Sequence, residues 1–205
     1  MNNTLFLITA IFYMLLDCGY AQKTPDEIIP KSSNDLIEEL DNNKVVYHDN
    51  DLYYLKGLKE LVALSNAEGL TIPNVQFYNK DGFFVSNVWS KGECTQVKNE
   101  IDAINTQPYT EDKTIAFWLD KIQAFQIAEQ PEGMDKIYDG YIVISWANWD
   151  FLKPKLMRRL NKQSFEWYEQ LKDIPNMKVI FLSIDVMEEW GLSETELTKL
   201  RAAIN

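Results

Sequence analysis

Apolar and polar positions along this chain recur with two periods, one close to two residues and one of three to four, and their succession predicts an α/β domain. Lys44-Val45-Val46-Tyr47-His48 reads as a short strand, after which Asp49-Asn50-Asp51 opens a helix whose Leu52, Leu55, Leu58, Leu61, Val62 and Leu64 form one stripe. Residues 74–79 and 83–89 flank Lys80-Asp81-Gly82 and predict an antiparallel hairpin. A helix over 95–104 follows, with Val97, Ile101 and Ile104 on one face. Beyond Pro108 the spacing of Ile115, Trp118, Leu119, Ile122 and Phe125 predicts another over about 111–129. Residues 140–146 are apolar on both faces, as a central strand of a parallel sheet must be. The pattern then predicts a long helix over 151–172 with Pro154 in its first turn, a second buried strand over 178–185, and a last helix to Ile204 opened by the capping box of Ser193 and Glu196. The expected architecture is three-layered, with a mixed central sheet between helices.

The first residues stand apart. Leu5 to Leu16 is an uninterrupted apolar run, shorter than the roughly 20 residues a spanning helix needs, and Gly19-Tyr20-Ala21 supplies a small-x-small cleavage pattern. A signal peptide over 1–21 is therefore expected, with export to a periplasmic or extracellular compartment. Leu15-Leu16-Asp17-Cys18 offers a competing arrangement, a lipid anchor at Cys18, although Asp17 sits where that motif wants a small residue. Residues 22–34 hold Pro25 and Pro30 and read as a leader, followed by a single domain over 35–205, its hairpin half in 35–107 and its strand-helix-strand half in 108–205.

Composition narrows the partners. Twenty basic residues against 31 acidic ones give a formal charge of −11, which offers no basic footprint for nucleic acid and no attraction to anionic membranes. Cleavage after Ala21 leaves Cys94 as the sole cysteine, so no internal disulfide forms and no dithiol pair exists. Cys94 follows Lys91-Gly92-Glu93 near a helix start, a setting that suits either an inert buried thiol or a reactive one. His48 with Asp49 and Asp51 carries the ligand types for a divalent metal, but alternate strand side chains diverge, and a turn with helix-capping acids explains the same residues. Lys155, Arg158, Arg159 and Lys162 form a basic stripe opposite the leucines of the long helix, either a solvated face or a dock for an acidic partner. Catalytic signatures such as G-x-S-x-G, H-E-x-x-H, a phosphate loop or a dinucleotide fingerprint do not occur, and no cofactor is expected.

Residues 141–155 resemble the thioredoxin family: a buried strand runs into Trp146-Ala147-Asn148-Trp149 and then a helix with proline in its first turn. In that family the second tryptophan is followed by Cys-x-x-Cys, where this chain has Asp150-Phe151-Leu152-Lys153. Ile72-Pro73, the hairpin to Trp89 and Ser90-Lys91-Gly92 are similar to the family's cis-proline, hairpin and final helix, but here they precede the strand-helix unit, as in a circular permutation. The resemblance implies that Pro73 is cis and lies beside Asp150. It implies a redox-inactive module that binds a protein or peptide through Trp146, Trp149, Asp150, Lys153 and Pro73. An alternative is a thiol-dependent redox or peroxide-linked enzyme using Cys94 or a partner's thiol. Asp150 is also suited to capping the long helix, accepting from the N–H of Leu152 or Lys153.

Overall fold

The run from Gly140 to Trp146 forms strand β6, and Met177–Ser183 forms β7. The two lie side by side, parallel, in register from Gly140 opposite Met177 to Trp146 opposite Ser183. Parallel neighbours need a crossover long enough to carry the chain back across the sheet, and here it is a helix over Pro154–Leu171. The computed structural model describes residues 28–66, 72–89, 97–125, 137–149 and 153–204. The expected signal peptide, Cys18, Cys94 and Asp150 all lie outside these residues.

Around the central pair the chain adds β1 (Leu52–Leu55), β2 (Asn74–Asn79), β3 (Phe83–Trp89), β4 (Thr110–Thr114) and β5 (Ile122–Ala124). The result is a seven-stranded mixed sheet in the order β4-β3-β2-β6-β7-β1-β5. β1 runs parallel to β7, while β2 is antiparallel to both β6 and β3. Helices α1 (Ser33–Asn42), α2 (Leu58–Asn66), α3 (Val97–Ala103), α4 (Ala116–Leu119), α5 (Pro154–Leu171) and α6 (Glu194–Ile204) cover it.

Alternation along the strands separates two cores. Val75, Phe77, Ile142, Ile144, Val179 and Phe181 face the side packed by α1, α3 and α5. Tyr78, Val143, Ile180 and Leu182 face the other side, with Leu61 and Leu64 of α2 and Trp118 of α4. Phe181 is the hub of the first core: Tyr168 stacks on it at 4.2 Å between centroids and 6°, Trp146 lies at 5.4 Å, and Phe165 meets it edge-on at 6.0 Å. The α/β architecture with helices on both sheet faces agrees with expectation.

Several elements differ from the sequence expectation. The helix expected to open at Asp49 is a 3-10 turn over Asp49–Asp51 followed by strand β1, and the helix starts only at Leu58. Leu52 and Leu55, three apart and so apparently on one helical stripe, point into opposite cores, as strand residues of odd separation do. The strand expected over 44–48 is absent from the sheet. Lys44 turns the chain at φ 58, Val45 goes inward and Val46 is 66% exposed. Backbone groups of this segment bond instead to α5 side chains: the Val46 N–H donates to Glu169 Oε1 at 2.8 Å and the His48 N–H to the Tyr168 hydroxyl at 2.9 Å.

Within the helix expected over 111–129, the described residues hold two edge strands, β4 and β5, separated by the single turn of α4. The solvated face of a short edge strand carries charge, and Glu111, Asp112 and Lys113 are all exposed, which hid β4 behind a helical-looking polar face. Part of the expected leader is also packed: Ile28 is 4% exposed, and Lys31 exchanges backbone hydrogen bonds with Val186 and Glu188. Helix α1, which begins before the expected domain start, has its own capping box between Ser32 and Asp35. The box of Ser193 and Glu196 opens α6 as expected.

Phe181→Ala removes the hub of the aromatic core and is expected to lower the unfolding free energy by about 3–5 kcal/mol. Denaturant titration measures it, and a loss no larger than that of a surface substitution would contradict this packing.

Candidate functional site

Because β6, β7 and β1 are parallel, their carboxyl ends share one edge of the sheet, and antiparallel β2 begins at that same edge with Asn74 opposite Ser145. The crevice outside the carboxyl ends of such strands is where α/β sheets most readily receive ligands, since loops there are free to vary above a rigid base. The Ile72–Pro73 peptide bond is cis, as the resemblance implied, and it immediately precedes β2.

Chain exit from β6 is held by side chains from two other elements. Asn161 of α5 grips Ala147 at both backbone groups, its Nδ2 donating to the carbonyl at 2.5 Å and its Oδ1 accepting from the N–H at 3.3 Å. Ser164, one turn along α5, donates to the Ser145 carbonyl at 2.7 Å. From just beyond β7, the Asp185 carboxyl accepts the Asn148 N–H at 2.9 and 2.8 Å and the Ser183 hydroxyl at 2.8 Å. All four side chains are buried, and a buried polar group is tolerated where it is hydrogen-bonded. Their joint effect is to fix Ala147 and Asn148 by side-chain hydrogen bonds.

The expected binding residues separate into layers. Trp146 is 0% exposed, stacked on Phe181, so it supports the edge from beneath and does not present a face to a ligand, a correction to its expected role. Pro73 is buried as well. Trp149 is half-buried, and its Nε1 donates to the Ile184 carbonyl at 3.4 Å. Lys153 is exposed and occupies the N-cap position of α5, with Pro154 as the first helical residue. The capping position expected for Asp150 therefore belongs to Lys153, which offers no side-chain cap. Asp150 and Cys94, whose thiol carried the enzymatic alternative, lie outside the described residues.

At the opposite end of β1, two of the three residues read as metal ligands, His48 and Asp51, are engaged elsewhere. His48 Nε2 lies 2.9 Å from Asp173 Oδ1 on the surface, while Asp51 turns inward, accepting from the Tyr168 hydroxyl at 3.2 Å with Lys178 Nζ at 3.5 Å. Among the described residues no group of three or more His, Cys, Asp or Glu side chains is arranged to hold a metal ion. Burial pushes the Asp51 carboxyl above its ordinary range, against the opposing pull of Lys178 and Tyr168. Burial also raises the Tyr168 hydroxyl, with the nearby Asp51 carboxyl adding to it.

Sequence reasoning did not single out Asn161, Ser164, Ser183 or Asp185. A signal existed: Asn161 and Ser164 fall at spacings from Met157 and Tyr168 that lie on the buried face of α5, where polar residues need a partner.

Asp185→Ala strands the Asn148 N–H and the Ser183 hydroxyl and is expected to cost about 2–4 kcal/mol, with Asp185→Asn costing less because an acceptor oxygen remains. Equal losses for the two in denaturant titration would argue against the hydrogen-bond account. For Asp51, a folded pKa above the unfolded value means that the fold holds the proton more tightly. Its contribution is fully present below the unfolded carboxyl range and declines as pH rises through the folded value. Asp51→Asn should therefore lose less stability than wild type as pH rises from the unfolded carboxyl value, about 4, through the raised folded value, read from melting midpoints. A steeper fall in the variant would refute it. Comparison of the chain with protein-family models, curated proteins and solved structures finds no match.

Proposed function

We propose that this chain is an exported, redox-inactive thioredoxin-like module, its hairpin half preceding its strand-helix-strand half, that binds an extended protein or peptide segment at the carboxyl edge of its parallel strands. The observation that carries the reading is the pairing of β2 with β6: Asn74 opposite Ser145 brings the proline segment directly beside the strand that leads into α5. That juxtaposition is what the resemblance requires of the two halves, whatever their order in the chain.

Chemistry at the edge supports binding over turnover. Both positions that hold cysteine in a redox thioredoxin carry other residues here, Asp150 and Lys153. Ser183 and Asp185 are buried and spent on each other and on the Asn148 N–H. What reaches the surface is Trp149, an amphipathic ring on an anchored loop, with exposed Lys153 one residue before the helix. A rigid aromatic of this kind supplies contact area at low entropic cost.

The test is a nuclear magnetic resonance titration of the exported chain with a panel of short unstructured peptides. Amide shifts are expected to cluster at Ile72, Asn74 and residues 147–149, and Trp149→Ala should weaken the best peptide about tenfold or more. An insulin-reduction assay should give no turnover. Turnover that Cys94→Ser abolishes, or shifts confined to other surfaces, would overturn the reading.

A further inference from the structure

The stretch that leaves β7 is bonded in two directions. Toward the edge, the Ile184 N–H donates to the Trp146 carbonyl at 3.0 Å, the Ile184 carbonyl accepts from Trp149 Nε1 at 3.4 Å, and the Asp185 carboxyl takes the Asn148 N–H. Toward the packed part of the leader, the Val186 carbonyl accepts the Lys31 N–H at 2.8 Å, and the Glu188 N–H donates to the Lys31 carbonyl at 2.9 Å. The second pair of bonds makes a one-residue parallel bridge between Lys31 and Met187. Ile184 and Asp185 thus serve the edge, and the residues directly after them are seated on the leader.

The leader side of this arrangement is lightly held. Its apolar anchor is Ile28, 4% exposed, which packs with Val186, Leu197 and Leu200 in a small third core apart from the two that sandwich the sheet. Ile29 beside it is 51% exposed, Pro30 has no N–H to donate, and Ser33 adds only a surface hydrogen bond to Glu189 at 3.2 Å. A segment with so little buried apolar contact opens at far lower cost than the strands it rests on. Opening it takes the partners from the Val186 carbonyl and the Glu188 N–H, next to the carboxyl that fastens Asn148.

We infer that residues 28–31 form a releasable clasp that sets the order of the edge residues. Fastened, the clasp holds 186–188 in place and with them the Asp185 carboxyl against the Asn148 N–H. Released, it loosens Asn148 and Trp149 and leaves the sheet intact. The link is a run of adjacent, bonded residues, and it works in both directions: whatever holds Asn148 more firmly also favours the fastened clasp. A leader drawn away from this seat therefore changes the surface offered at Trp149. The clasp stands whether or not that edge binds peptide, because it concerns order and not affinity.

Native-state hydrogen exchange of the full chain, followed by nuclear magnetic resonance, tests it. Ile28→Asp puts a carboxylate into the third core and should unfasten the clasp, so that the Asn148 amide exchanges at least about tenfold faster while the Ile142 amide of β6 keeps its rate. Ile28→Ala brings in no charge and should give the same pattern at smaller amplitude, which carries the test if the Asp variant does not fold. Ile29→Asp, the charged change at the exposed neighbour, should alter neither rate. Since the clasp acts through Asp185, Asp185→Ala should speed exchange at both Asn148 and Lys31, and Ile28→Asp added to it should speed Asn148 little further. An Asn148 rate unchanged by both Ile28 variants, or equal acceleration of Asn148 and Ile142, would overturn the assignment. So would a Lys31 rate indifferent to Asp185→Ala, or a full further increase at Asn148 in the double variant.

Discussion

The parallel pairing of β6 with β7 is the constraint on which the other parts of this molecule depend. Two strands side by side and parallel leave no short way back, so the chain must cross over, and the crossing helix must then cover one sheet face. Covering that face brings Phe165 and Tyr168 of α5 onto Phe181 of β7, which is why the densest aromatic contacts surround a single residue. The opposite face, to which α5 lends only Met157 and Leu160 of its first turns, is closed by the shorter α2 and α4. Once the pair is fixed, so is the edge at which both strands end, and with it the place where Asn148 and Trp149 emerge.

Polar groups inside the fold serve that edge. Asn161 and Ser164 reach from the helix and Asp185 from just past the neighbouring strand, so Ala147 and Asn148 are held from two sides by side chains. Similar logic operates at the other end of β1, where Tyr168 is shared between the His48 N–H and the Asp51 carboxyl. In both places irregular backbone is kept rigid by residues that the apolar pattern alone would class as misfits.

How much of this can be read from the residues depends on what each signal measures. β6, β7, the β2–β3 hairpin and the long helix all announce themselves, because burial on two faces, a tight Lys80-Asp81-Gly82 turn and a sustained stripe are local properties. β1 does not, because Leu52 and Leu55 fit a helical spacing and only the presence of β7 and β5 on either side makes the extended form favourable. β4 fails for a different reason: its exposed acids and lysine reflect its solvated position and say little about backbone conformation. Asp185 looked like the polar end of an apolar strand, and its task depends on Asn148, 37 residues earlier in the chain.

The two outermost strands carry a consequence of their own. β5 spans only Ile122–Ala124, and β4 presents Glu111, Asp112 and Lys113 to water. Unsatisfied backbone along a sheet margin invites another chain to extend it, and both margins are made inhospitable here, one by brevity and one by charge. Among the described residues, then, neither outer strand offers a long uncharged rim on which a second copy could stack.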